Sequence, residues 1–159
     1  PYQFDFYDGG GLDVTCLGFA EIDARGNVNS SRIAGRVFGV GGFVNISQGA
    51  RKVVFCGTFT SGGLKVAIGG GRLSVVSEGR HLKFKEQVTQ VTFNGAQARK
   101  DGQEVVFVTE RAVFRLTDAG LELVEIAPGI DLQKDVIEKM DFLPVVREPV
   151  PLMDPALFT

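Results

Sequence analysis

The sequence lacks several features, and each lack removes a class of function. No apolar run approaches the roughly 18 residues of a membrane-spanning helix, so no membrane partner is expected. No block of lysine or arginine occurs, and the net charge is -2, which argues against nucleic acid as an electrostatic partner. Only two cysteines are present, Cys16 and Cys56, without a CxxC pattern, and one histidine, His81. That donor set is too small for a structural zinc site, so no metal is expected. A disulfide between the two cysteines is left open but has no support. No secretory signal is visible, and a reducing cytoplasm is the expected compartment. Proline at position 1, with no methionine before it, predicts a piece of something longer or a processed chain.

What remains is the composition of one globular domain. The chain has 159 residues, 44% hydrophobic and 23% charged, enough for a single sizeable core. Glycine is over-represented, at 21 residues, which signals positions that need positive φ or close backbone approach.

Hydrophobic periodicity gives the coarse layout. Residues 2–7 alternate with period two and predict a strand ending at Gly9-Gly10-Gly11. Residues 12–22 are continuously apolar enough to predict a strand buried on both faces, followed by a turn at 23–27. Residues 43–48 predict one or two helical turns stopped by Gly49. The run KVVFCGTFT at 52–60 is the clearest buried strand. Two runs joined by Gly69-Gly70-Gly71 predict a hairpin over 64–78. Further strands are expected at 88–93, 104–109, 112–116 and 121–126, with turns at Asn94-Gly95, Asp101-Gly102 and 118–120. One late helix is expected, capped by Asp131 with Val136, Ile137 and Met140 on one face. Prolines at 144, 149, 151 and 155 predict an extended tail over 144–159, lying on something larger and distinct from a domain over 1–143.

Two glycine-rich segments could carry chemistry. In Gly39-Val40-Gly41-Gly42-Phe43-Val44-Asn45, bare backbone ahead of a helix start exposes N–H groups that can hold a carboxylate, phosphate or oxyanion. The alternative is an ordinary turn between sheet elements. The segment 58–63, with Lys65 behind it, follows the buried strand and could meet a phosphate or pantetheine chain, or be only a hairpin approach. Cys56 sits among apolar residues without an evident base, and His81 lies in a charged loop, so neither reads as catalytic. Glu21, Asp23, Glu110 and Asp118 each have a plain strand-end or turn role, and Glu110-Arg111 fits an internal ion pair. No carboxylate stands out as a covalent nucleophile.

The segments PYQFDFYDGGGLD, GNVN, GVGGFVNISQGARKVVFCGTFTSGGLKV and TERAVFRLTDAGLELVEIAPGIDLQKD resemble the carboxyl-terminal part of family I coenzyme A transferases, of the acetate/propionate type. The resemblance covers residues 1 to about 143 and is most specific from Gly39 to Val66. It implies an α/β fold with an open, strand-rich sheet, many antiparallel strands and few helices. It also implies transfer of CoA between an acyl-CoA and a free carboxylate, with CoA as substrate and no other cofactor. The family's nucleophilic glutamate precedes the PYQFDF segment by a few dozen residues, outside this sequence. Its amino-terminal part is therefore an expected partner, in a homo-oligomer of the complete enzyme. The matching family loop lends a backbone N–H to an oxyanion hole, which points to Gly42, then Gly41. Phe43, Asn45 and Lys65 become expected neighbours of CoA, although Phe43-Val44-Asn45 departs from sister subfamilies. Two other readings stay open: a non-catalytic, mainly β assembly domain, and a thioester hydrolase on the same scaffold.

Overall fold

The computed structural model describes residues 2–159. Six strands form the main sheet: β1 (Val14–Gly18), β2 (Lys52–Cys56), β3 (Glu104–Val108), β4 (Ala112–Thr117), β5 (Gly120–Ile126) and β6 (Val145–Val146). Their spatial order is their chain order. β1, β2 and β3 run parallel, with Gly18, Cys56 and Val108 level at their carboxyl ends. β3, β4 and β5 are antiparallel, and β6 closes the far edge parallel to β5. The expected α/β fold with a strand-rich open sheet, much antiparallel pairing and few helices is what the chain adopts.

One face of the sheet is dry. β2 alternates Val53 and Phe55 inward, β3 Val105 and Phe107, and β4 Ala112, Phe114 and Leu116, all buried. Phe55 stacks on Phe107 at 5.4 Å and on Phe43 at 5.9 Å, so the short helix α2 (Phe43–Gly49) is pinned to the sheet by its first residue. A second aromatic group, Phe59, Phe84 and Phe114, continues the core past the end of β2, with ring centroids of 4.5 Å between Phe59 and Phe84.

Several expectations need correction. Residues 2–8 form a helix, α1 (Tyr2–Asp8), closed by bonds from the Gly9 amide to the Asp5 carbonyl and from the Gly11 amide to the Phe6 carbonyl. Its aromatic residues fit period two and also an i, i+3 pair, and Phe4 and Tyr7 meet edge to face at 5.9 Å. The 12–22 segment divides into β1, a half-exposed edge strand, and a separate short strand, Glu21–Asp23. Residues 88–93 make only an isolated bridge from Phe93 to Val28. Asn94-Gly95 is the start of helix α3 (Gly95–Lys100), where the Asn94 side chain accepts from the Gln97 amide. Glycine is required there because a Cβ would stand 2.2 Å from the Arg25 carbonyl oxygen.

The hairpin forms as expected, Lys65–Gly69 against Arg72–Ser77, through Gly70 and Gly71 at φ of 61° and 74°. Asp131 caps its helical turn by accepting from the Lys134 amide, and Val136 and Met140 are buried beneath it. The proline-rich segment 144–159 runs along this same sheet: β6 pairs with β5, Leu152 bridges Ile126, and Met153 and Phe158 are buried.

A fully buried guanidinium ties the loops together at the carboxyl ends of the parallel strands. Arg111 donates from Nε to Glu110 Oε1 at 2.6 Å, and from Nη1 and Nη2 to the two Glu78 oxygens at 2.8 and 3.0 Å. Nη1 also donates to the Asp135 carbonyl at 3.1 Å, and the plane lies 5.0 Å from the Phe59 ring. Glu78 accepts in addition from the Thr60 hydroxyl, and Glu110 accepts from the Phe59 amide at 2.8 Å. The Glu110-Arg111 ion pair expected from the sequence is therefore present, with Glu78 as an unforeseen second partner. Burial works to raise the Glu78 carboxyl, but hydrogen bonds from Arg111 and Thr60 and the Arg111 charge outweigh it and hold it below 4.5.

Replacing Arg111 by methionine strands two carboxylates and should lower unfolding stability by about 3–5 kcal/mol, read from denaturant midpoints. The depressed Glu78 carboxyl contributes stability that is complete above the unfolded value near 4.5 and is lost as pH falls through the folded value. Glu78→Gln should accordingly flatten the acid limb of a stability-against-pH curve; an unchanged limb would contradict that assignment.

Candidate active site at the carboxyl ends of the parallel strands

In sheets with parallel strands, ligands collect outside the strands' carboxyl ends, because the loops there diverge and leave a crevice. Here that edge is marked by Gly18, Cys56 and Val108. Two adjoining clefts open beside it, sharing Ala20 and Ile33 as wall. One, of about 300 Å³, is lined by Gly18, Phe19, Gly39, Val40 and Phe43. The other, of about 430 Å³, is lined by Arg32, Ser61, Arg80, His81, Leu82 and Lys83. A larger cleft of about 720 Å³ lies around Asp23, Arg25 and Lys85. There Asp23 holds its own turn through the Arg25 and Asn27 amides, and Lys85 pairs with Asp141 at 2.9 Å, so these charges are already matched.

From the glycine bend 39–42, Gly39 and Val40 line the smaller cleft. Gly39 and Gly41 are exposed, and Val40 and Gly42 half-buried. Neither the Gly41 nor the Gly42 amide donates to any group among the described residues, whereas the Phe43 amide donates to the Val40 carbonyl at 3.0 Å. Gly41 has φ of 53°, and a Cβ there would meet nothing within 4 Å, so backbone conformation and not crowding favours glycine at this position. Gly42 has an ordinary φ of -83°, and its Cβ would approach the Ile46 side chain at 3.2 Å. The backbone therefore favours glycine at 41, and at 42 only close packing does.

The other expected residues are placed less uniformly. Phe43 lines the smaller cleft, although most of its ring is in the core against Phe55. Asn45 donates to the Asp8 carboxylate at 2.8 Å and so joins α2 to α1. Lys65 is exposed on the hairpin and lines neither cleft. Cys56 is exposed at the end of β2, and burial with the adjacent Cys16 pushes its thiol up, away from the thiolate a nucleophile needs. His81 is exposed on the wall of the larger of the two adjoining clefts. No group of three or more potential metal ligands occurs among the described residues. No helix among the described residues is long and apolar enough to cross a membrane.

One residue has no sequence signal as a site residue. Lys83 lies within GRHLKFKE, which reads as a charged loop, yet only 7% of it is exposed. Its Nζ stands 3.8 Å over the Phe19 ring and close to Gly57, directly after β1 and β2. Burial pushes the ammonium down to about 8, against the opposing charge of Glu110.

Comparison with known proteins bears on what this geometry serves. No protein-family model matches the chain. Over 156 residues it is 52% identical to an acetate CoA-transferase, YdiF, of Escherichia coli O157:H7, an alignment taking in 98% of this chain and 29% of that protein. Over 162 residues it is 47% identical to a caffeate CoA-transferase of Acetobacterium woodii, covering 99% of this chain and 31% of that protein. The chain thus spans about 30% of the length of the curated relatives it matches. A crystal structure of the E. coli O157:H7 acyl-CoA transferase in a thioester complex with CoA superposes with a TM-score of 0.97 at 51% identity, over 99% of this chain and 31% of that one. A glutaconate CoA-transferase from Acidaminococcus fermentans shares the fold alone, at 20% identity and a TM-score of 0.62, over 98% of this chain and 60% of that one. Along nearly its whole length the chain is thus similar in sequence and fold to a portion, about 30%, of these CoA-transferases.

Proposed function

We propose that this chain is part of an enzyme that moves CoA between a short-chain acyl-CoA, such as propionyl-CoA or acetyl-CoA, and a carboxylate such as acetate or lactate. The nucleophile in this reading is a glutamate outside these residues, and the covalent carrier is a glutamyl-CoA thioester. The observation that supports it most directly is the bend at Gly41 and Gly42, whose two amides are unengaged and which lies between Val40 and Phe43, both lining a cleft at the strand ends.

The chemistry makes specific demands on such a bend. When a glutamate carboxylate attacks a thioester carbonyl, the carbonyl oxygen takes up negative charge before the thiolate of CoA leaves. CoA thiolate then attacks the glutamyl carbonyl of the resulting anhydride, which releases the donor's carboxylate and gives the glutamyl thioester; the acceptor carboxylate reverses the sequence with a new acyl group and frees the glutamate. Each tetrahedral intermediate carries its charge on one oxygen, and a fixed amide about 2.7–3.1 Å away stabilises it without reorganisation. The Gly42 amide, with Gly41 beside it, fills that role. Of the expected CoA contacts, Phe43 shares the cleft with the bend. Asn45 reaches it only by releasing Asp8, and Lys65 stands outside it. In the same reading residues 1–143 are the transferase domain and 144–159 its tail, in a cytoplasmic homo-oligomer of the complete enzyme.

Mixed with the amino-terminal part, the chain should restore CoA transfer from propionyl-CoA to acetate, and by itself it should show none. Appreciable transfer by the chain alone would refute the placing of the nucleophile. In the complete enzyme, Gly42→Val should lower kcat by 10²–10³, about 2.7–4 kcal/mol in the barrier, with little change in KM. Because φ at Gly42 suits any residue, backbone strain is no part of that loss, and a Tm comparison separates it from the contact that the new side chain makes with Ile46.

A further inference from the structure

In the sequence, the segment 58–63 could meet a phosphate with Lys65 behind it. The structure brings Ser61 of that segment to the cleft of about 430 Å³, but the cations that line the cleft are Arg32, Arg80, Lys83 and Lys85, with His81 beside them. They come from separate stretches of chain: Arg32 from a small two-stranded unit, Arg32–Ile33 against Arg36–Val37, and the others from the segment after the Lys65–Ser77 hairpin. Gly62, at φ of 80°, lets the loop lie against His81, because a Cβ there would stand 2.7 Å from the ring.

The positive charge of this cleft is not balanced from within. Glu21 is the one acid in its wall, and its carboxylate already accepts from the Asn29 side chain and from the Thr89 amide and hydroxyl. Lys85 pairs with Asp141 at 2.9 Å. Arg32 and Arg80 are exposed and enter no ion pair among the described residues. Lys83 is buried, with its ammonium over the Phe19 ring, so water screens its charge less than that of a surface lysine. Four cationic side chains, set against Glu21 and the Asp141 partner of Lys85, leave a surplus of two positive charges in a chain whose net charge is -2.

That surplus sets the class of ligand. A monocarboxylate brings one charge and occupies one guanidinium. A phosphate ester or diphosphate brings two or more charges on tetrahedral oxygens, which two guanidinium forks share through paired N–H donors, and the Ser61 hydroxyl adds another donor. The rest of the wall, Ala20, Ile33, Ala34 and Leu82, is apolar and suits the organic part of a phosphate ester. We infer that this cleft is a binding site for a multiply charged phosphate group, held by Arg32, Arg80 and Lys83 with the Ser61 hydroxyl. The site stands on its lining and goes beyond the CoA-transfer reading, which supplies one of two sources of the phosphate, the nucleotide end of CoA; the other is a free nucleotide or diphosphate.

The test uses the complete enzyme, inorganic pyrophosphate as probe, and the variants Arg32→Gln and Arg80→Gln, at exposed positions outside the core. Titration calorimetry at fixed ionic strength should show saturable binding of pyrophosphate to the parent, weakened by roughly tenfold or more in each variant. No binding to the parent, or binding of equal strength in both variants, would overturn the inference. Citrate that binds the parent as tightly as pyrophosphate, and is lost in the same variants, would overturn the phosphate class in favour of a polycarboxylate. Kinetics then separate the two sources. If the phosphate belongs to CoA, KM for propionyl-CoA rises by roughly tenfold or more in the variants, while KM for S-propionyl-pantetheine, which carries no phosphate, changes by less than about twofold. If it belongs to a free nucleotide or diphosphate, KM for propionyl-CoA stays within about twofold although pyrophosphate binding is lost. Either result upholds the site. An enzyme inactive in CoA transfer whose pyrophosphate binding still depends on the two arginines would sink the transferase reading and leave the site standing.

Discussion

Arg111 is the constraint on which the functional edge of this molecule depends. Its guanidinium has no contact with solvent, and its partners come from loops that are remote in sequence: Glu78 after the hairpin, Glu110 after β3, and the carbonyl of Asp135 in the late helical turn. Burying such a group gains little net stability over an apolar replacement of equal shape. Removing any one partner is costly, because the remaining charges are left without compensation. The network thus acts chiefly as a geometric lock. It sets the path of the chain at the carboxyl ends of β2 and β3 and, through the Phe59 amide held by Glu110, fixes the residue that follows Gly57 and Thr58.

With those loops fixed, the sheet leaves two clefts side by side that differ in character. One is lined by Gly39 and Val40 of the glycine bend, and the other by the basic residues Arg32, Arg80, Lys83 and Lys85. The aromatic core supports this division. Phe43 anchors the bend through Phe55, while Phe59 stacks on Phe84, which meets the Phe19 ring that lies under the Lys83 ammonium.

Much of the layout was legible in the sequence where a local rule decided it. The hairpin follows from Gly70 and Gly71, which alone accept two successive positive φ angles, and the strands at 104–126 follow from alternation with one face dry. The bend at 39–42 and the Glu110-Arg111 pair were likewise readable, one from bare backbone and the other from adjacent opposite charges. The misreadings share a cause. YQFDFYD satisfies strand and helix periodicity together, and residues 88–93 look extended without finding a partner strand. Asn94-Gly95 serves as a turn or as a helix cap, depending on whether the next residues have a surface to pack against.

By itself, the sequence determined which segments are strands when their alternation was unambiguous, where glycine was compulsory, and that the chain resembles part of a CoA-transferase. Only the tertiary structure decided that Glu78 reaches Arg111 across 33 positions of chain, that Asn45 is bound to Asp8, and that Lys83 turns inward against Phe19. The reason is physical: backbone propensity and periodicity act over a few neighbouring residues, whereas burial of a charge depends on surfaces brought together from the whole chain.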